Sequence, residues 1–365
     1  MVNSYSISGA VIRSYHREGA TPKPIVLFSC EEKIPLYHHR NAEVLERLVI
    51  AQTKGVLEKC RSFHGRFDKI ICTLGEPWVT TFSRSSHLEK REPFTVNKNS
   101  IDELVARDTR LFEQETIRDY RSFEEVGVVG TSMPVIDVNG YRTPRYSGVT
   151  AKTVDVHMAF SIAPARFVEN LLSAFIDVFH REDIICQSMD LARSYLFAKT
   201  AKAAVLDIDG TTSTLSIIDR GHVMYTSSIP SGLINFENNL ETLFDIKRVQ
   251  IASVMQFVTD EKFIEYSRDV YYKRIEAAYR DFGVMLRRGA NNLKKYTEAI
   301  PRPIHLMTNP SWIGTLEPLI KSDLETSIAT LPADSLDDHV MYTTQAEARS
   351  VALSLAILQA IKNEE

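Results

Sequence analysis

The residues Asp207-Ile208-Asp209-Gly210-Thr211-Thr212-Ser213-Thr214 close an apolar strand, Ala203–Ile208, with two carboxylates and a polar loop. A second strand, Thr214–Ile218, leaves that loop. Arg220-Gly221 turns the chain, and Val223–Ser228 returns as a third strand. Small hydroxyl-bearing residues at a tight hairpin tip allow backbone N–H groups to turn inward, where they bind an anion without a formal positive charge. A carboxylate just before such a tip can hold magnesium through water, because that ion prefers oxygen ligands and keeps much of its hydration. Asp207 and Asp209 stand at those places. The plainer reading is a β-hairpin with a polar turn, since Gly, Thr and Ser favour turns for local hydrogen-bonding reasons.

Downstream, Pro230-Ser231-Gly232 breaks the chain before a mostly helical region, Phe236–Tyr296. Within it Ile275, Ala278, Tyr279, Phe282 and Leu286 mark one helix face. Ile304–Met307 reads as a short strand, followed by the loop Thr308-Asn309-Pro310-Ser311, and Thr344–Ile361 as a last helix. Upstream, Ser8–Tyr15 and Ile25–Cys30 read as strands split by the turn cluster at Glu18–Pro22, and Asn41–Arg61 as a helix. Ile70–Leu74, Trp78–Ser83, Val126–Thr131, Met133–Val138 and Asp155–Ser161 are strand-like. Asn139-Gly140 is a tight hairpin signal, because both positions accept positive φ. Ser100 and Glu103 form a capping-box pattern opening a helix to about Phe112, and Ala165–Phe179 is helical. The stretch from Lys69 to about Ala163 reads as a small α+β insert, with Trp78 packed in that insert's core.

The bulk numbers exclude several classes. The chain has 365 residues, 44% of them hydrophobic and 25% charged, and a net charge of -4. That balance predicts neither a nucleic-acid footprint nor a polybasic membrane patch. The longest nearly apolar run, Val351–Ile361, is short of the ~20 residues that a spanning helix needs. The opening residues lack the basic start and apolar block of a signal peptide. Cys30, Cys60, Cys72 and Cys186 form no C-x-x-C pair, so they read as reduced thiols of a cytoplasmic protein rather than zinc ligands. His38-His39 are adjacent and share no face, so no shared metal is expected. Neither G-x-S-x-G nor a P-loop occurs, and no catalytic residue is assigned.

The order strand, loop, strand, turn, strand, then Ile229-Pro230-Ser231-Gly232 and a helix is similar to the second phosphate region of the actin-like superfamily. It most resembles FtsA and PilM, where the loop runs Asp-Ile-Gly-Gly-Gly-Thr-Thr-Asp. Here Asp207, Ile208, Gly210 and Thr212 match. Ser213 replaces a Thr, Asp209 and Thr211 replace glycines, and Thr214 replaces the final Asp. The insert resembles the small domain that distinguishes FtsA from actin, through Gly75–Thr81 and Val138-Asn139-Gly140-Tyr141. Ile304–Ile320 resembles the adenosine-contacting region, with Thr308-Asn309-Pro310-Ser311 where glycines are usual. The first phosphate loop would lie at the N-terminus, with Met1, Val2 and Asn3 at its Asp-Ile-Gly, Ser4 and Ser6 as hydroxyls, and no residues left for the strand before it.

The resemblance implies a two-lobed actin-like (ribonuclease H-like) α/β fold with an FtsA-type α+β insert. The expected divisions are 1–68 and 164–202 for the first lobe, 69–163 for the insert, 203–335 for the second lobe, and 336–365 for a helix returning to the first lobe. It implies ATP with magnesium as cofactor. Asp207, Gly210, Thr211, Thr212, Ser213, Ser4, Ser6, Gly232, Thr308 and Asn309 would contact the nucleotide, and Asp207 would organise the metal. The implied role is an assembly scaffold of the FtsA type, in cell division, with at most a weak ATPase activity. Its partners would be copies of itself in filaments or dimers, and a tubulin-like division protein. A PilM-like platform for pilus or secretion assembly is the alternative, with a membrane-protein peptide as partner. Both readings put the chain in the cytoplasm, at the inner face of the membrane only through partners. A nucleotide-free member of the fold and a sugar kinase or ATPase are further alternatives.

Overall fold

The computed structural model describes residues 1–14, 23–34, 41–118, 125–247, 250–251, 253–255, 265–331 and 340–346. The Glu18–Pro22 turn, the His38-His39 pair and most of the helix read over Thr344–Ile361 lie outside the described residues.

Strand β1 (Ser6–Arg13) pairs antiparallel with β2 (Ile25–Lys33). Helix α1 (Ala42–Phe63) follows, started by Asn41, whose side-chain oxygen accepts the Glu43 and Val44 N–H groups. Its buried face, Leu45, Val49, Thr53, Val56, Leu57 and Cys60, repeats at three- and four-residue steps. Strand β3 (Ile70–Leu74) then leads to the long β4 (Thr80–Thr95) and helix α2 (Lys98–Phe112). The cap of α2 is Asn97, which accepts the Ser100 N–H at 2.8 Å, so the expected Ser100 capping box is corrected. Both residues are good caps, but the helix begins earlier and puts Ser100 inside its first turn.

Strands β5 (Val126–Thr131), β6 (Val135–Val138), β7 (Tyr141–Arg142) and β8 (Thr150–Pro164) complete the insert. Its sheet runs β4-β8-β6-β7, with β5 also paired to β8. Asn139 and Gly140 turn β6 into β7 with φ of 50° and 80°. Helix α3 (Ala165–Phe179) and strand β9 (Ile184–Ser188) return to the first lobe, where β9 lies parallel to β3. Trp78 is buried, but it stacks on Phe167 of α3 at 4.1 Å in the first-lobe core, not in the insert's core.

The short helix α4 (Met189–Ser194) passes to the second lobe. There β10 (Ala203–Ile208), β11 (Ser213–Asp219) and β12 (His222–Ile229) form an antiparallel meander. Helices α5 (Leu233–Phe244) and α6 (Glu265–Leu293) come next, then β13 (Ile304–Met307), α7 (Pro310–Asp323) and β14 (Ile328–Thr330). The sheet order is β12-β11-β10-β13-β14, with β10, β13 and β14 parallel. Leu206, Leu215, Phe236, Leu240, Leu286 and Ile320 centre its core. Each such side chain, fully buried, contributes roughly 1.5–3 kcal/mol. A last strand, β15 (Met341–Tyr342), returns to the first lobe and lies parallel to β2.

One residue joins the two halves of the first-lobe sheet. Val2 forms a parallel bridge to Leu74 and an antiparallel bridge to Ile7. Its N–H donates to the Thr73 carbonyl at 2.8 Å, and its carbonyl accepts the Gly75 N–H at 2.8 Å. The Met1 amine donates to the Ser8 carbonyl at 2.7 Å. Beyond Met1 the edges of β1 and β3 border a cavity of about 170 Å³, floored by Val56, Leu57, Phe175 and Phe179. Val2 makes this join as a single bridged residue, not as a strand of its own.

Candidate functional site

The N-terminal loop is shaped by Asn3, whose side-chain oxygen accepts the Tyr5 N–H at 2.9 Å and the Ser6 N–H at 2.7 Å. That turn sends the buried Ser4 hydroxyl toward the β10–β11 loop. Ser4 Oγ accepts both the Thr211 N–H, at 3.0 Å, and the Thr211 hydroxyl, at 3.1 Å. Approach this close requires glycine at the neighbouring position: a Cβ on Gly210 would lie 2.7 Å from Ser4 Oγ. The two sequence-predicted loops therefore meet, although some two hundred residues separate them. Ser6 opens β1, and its backbone is tied to Asn3.

The N-terminus of α5 also faces this loop. A free helix N-terminus presents N–H groups to an anion. Here the Leu233 and Ile234 N–H groups donate to the carbonyls of Asp209 and Gly210, both at 2.9 Å. A Cβ on Gly232 would lie 2.4 Å from the Asp209 carbonyl oxygen, so only glycine lets the helix sit down on the loop. Ser213 donates its hydroxyl to the Ser231 carbonyl at 2.7 Å, which fixes the other side of the same turn. Thr308 donates to the Ile208 carbonyl at 3.1 Å. Asn309 caps α7 by accepting the Ser311 N–H and hydroxyl, so Pro310 and Ser311 are helical rather than part of the expected loop.

Asp207 meets a partner that the sequence reading missed. Arg193, on α4, is 2% exposed and places Nη2 2.7 Å from Asp207 Oδ2 and 3.0 Å from Asp190 Oδ1. Asp190 Oδ2 accepts the Thr81 hydroxyl at 2.5 Å, and Thr81 lies 2.9 Å from the Ser161 hydroxyl. Glu76, before β4, accepts the Ser228 hydroxyl from β12 at 3.2 Å. Residues of the first lobe, the root of the insert and the second lobe thus meet around Arg193, with Glu76 acting on Asp190 and Arg193 through its charge. The only sequence signal for this cluster was Asp190-x-x-Arg193, an opposite-charge pair at helical spacing. Nothing local marks that pair as buried.

Charge there is unequal, with several carboxylates around one guanidinium. Burial pushes Glu76 up to about 7; Asp190 adds to the rise, while Thr214, Thr212 and Arg193 oppose it. Burial, reinforced by Asp207, holds Asp209 well above the carboxylate range. Asp207 is also raised by burial, against the pull of Arg193. For Arg193 burial alone would lower the pKa, yet Asp207, Asp190, Glu76 and Asp209 together hold it above its ordinary value.

A triphosphate with magnesium does not fit this arrangement. Direct hydrogen bonds fill the space between Ser4 and Thr211, loop carbonyls take the first N–H groups of α5, and Arg193 occupies the carboxylate that would face a metal. Among the described residues no group of three or more His, Cys, Asp or Glu side chains is arranged to hold a metal ion.

No family model and no curated protein matches the sequence. Solved structures do resemble it. The PilM-PilN type IV pilus biogenesis complex contains a chain similar to this one at 14% identity and a TM-score of 0.61. The match covers 98% of this chain and 97% of that one. A Bacteroides thetaiotaomicron protein with an actin-like ATPase fold and unknown function is 9% identical at a TM-score of 0.44, covering 98% and 94%. MreB 5 of Spiroplasma citri, solved with AMPPNP, is 13% identical at 0.40, covering 55% and 67%. The likeness to the first of these, at a TM-score above one half, shows the fold, which is two-lobed and actin-like. Among the described residues no helix is long and apolar enough to cross a membrane.

Proposed function

We propose that this chain is an actin-like scaffold of the PilM kind, working by docking other proteins rather than by turning over a substrate. The observation that carries the reading is the end-to-end likeness to the PilM chain of a pilus biogenesis complex, insert included. It is supported by the insert's exposed apolar side chains, Met133 at 79% and Tyr141 at 77%, on the unit that distinguishes this fold from a bare actin core. In this reading the chain is divided as 1–68 with 164–202, the insert 69–163, and 203–335, with 336–365 returning to the first lobe. Its partners are copies of itself and a peptide of a membrane protein, which bring it to the inner face of the membrane.

The test is deletion of the gene in its source organism, complemented by the wild-type chain and by the Met133→Asp/Tyr141→Asp variant. Loss of surface pili or of secretion, with normal division, is the expected result, and the double variant should fail to complement. Undivided, filamentous cells with intact surface appendages would overturn the pilus or secretion role and favour the FtsA-type division reading.

A further inference from the structure

We propose that Arg193 is the built-in cation of the interlobe cleft, and that it joins the lobes without nucleotide or metal. This holds whichever assembly the scaffold serves. It rests on what fills the site, because three elements that would otherwise contact a bound group are engaged by atoms of the chain. The anion cradle is met by Ser4 Oγ, which receives the Thr211 N–H and hydroxyl. The helix N-terminus is met by the Asp209 and Gly210 carbonyls. The metal-facing carboxylate is met by a guanidinium 2.7 Å away.

The placement of Arg193 makes the pairing structural as well as electrostatic. Its helix, α4, begins at Ser188, whose hydroxyl accepts the Asp190 N–H at 3.2 Å. Asp190 is therefore held from two sides, by its cap and by Thr81 of β4. One nitrogen, Nη2, then reaches Asp190 of the same helix and Asp207 at the end of β10. A guanidinium keeps its charge even when buried, and its planar fork suits a site facing two carboxylates. Among the described residues Arg193 Nε and Nη1 find no acceptor. Those two donors are where a free anion would enter if the site took one, so phosphate belongs among the probes.

The experiment uses the full chain, thermal melting and titration calorimetry, with ATP plus magnesium, magnesium alone and inorganic phosphate as separate probes. The wild type is expected to show no saturable heat and no melting shift with any of them at millimolar concentration. In Arg193→Gln the carboxylates lose their counter-charge. That variant is expected to melt lower and to regain several degrees on adding magnesium alone. Arg193→Lys keeps a cation, so it should fold and remain insensitive to magnesium, which keeps the test decisive if Arg193→Gln does not fold. Saturable binding of ATP or phosphate by the wild type would overturn the proposal. So would an Arg193→Gln protein as stable as the wild type, or a magnesium response in Arg193→Lys equal to that of a foldable Arg193→Gln.

Discussion

Arg193 Nη2 and Asp207 Oδ2 lie 2.7 Å apart, with the arginine 2% and the aspartate 20% exposed. A buried pair of this kind gains little over a well-packed apolar pair, but removing one partner leaves an uncompensated charge. Arg193→Gln should therefore lower unfolding free energy by about 3 kcal/mol. Asp207→Asn should lower it as well, and the double variant should fall short of the sum by about 1 kcal/mol or more. Urea unfolding of the four proteins measures that coupling.

The contact between Ser4 and Gly210 gives a steric counterpart. Gly210→Ala puts a Cβ 2.7 Å from Ser4 Oγ and 3.1 Å from Ile234 Cδ1. It should cost about 1–3 kcal/mol through overpacking. Ser4→Ala in the same chain removes the nearer atom, so thermal melting should show part of that loss recovered.

Glu76 predicts a pH dependence with a definite sign. Its carboxyl titrates near 7 in the fold, against 4.5 in the unfolded chain. Between those values the folded protein holds a proton that the unfolded chain has released, so stability falls as pH rises through this window. The loss from this group approaches about 3 kcal/mol above pH 7. Glu76→Gln should flatten the profile of melting temperature from pH 4.5 to 8 and make the variant the more stable protein at pH 8. Equal slopes in both proteins would contradict the assignment.

Asn97, not Ser100, starts α2, and this too is measurable. Asn97→Ala should destabilise by about 1 kcal/mol. Ser100→Ala, which leaves the Asn97 cap in place, should cost clearly less in the same denaturant titration.

What was legible in the sequence is what acts over neighbouring residues. Ile70–Leu74, Ala165–Phe179 and Ala203–Ile208 stand in the structure within the limits read for them, because apolar periodicity and turn chemistry are local. The hairpin at Asn139-Gly140 was readable for the same reason. Illegible were the residues whose meaning depends on distant partners. Glu76 meets Ser228 across 152 positions of sequence, and Ser4 meets Thr211 across 207. Nothing local to Arg193 marks it as buried; distant parts of the chain close around it. Trp78 was readable as buried, but not as the neighbour of Phe167, since its sequence position lies in the stretch read as the insert. The loop Asp207–Thr214 therefore pointed to the fold, while the side chains that engage it came from elsewhere in the chain.

Val2 has a practical consequence at the bench. The amino group of Met1 opens into the cavity between β1 and β3, so the first residues of any affinity handle fused there start inside the sheet. A handle with an apolar first residue has Val56, Leu57, Phe175 and Phe179 to pack against, whereas a Gly/Ser spacer loses conformational freedom with few apolar contacts in return. Two purification formats of one protein should then differ in melting temperature, and recombinant work on this chain needs its fusion junction chosen as deliberately as its mutations.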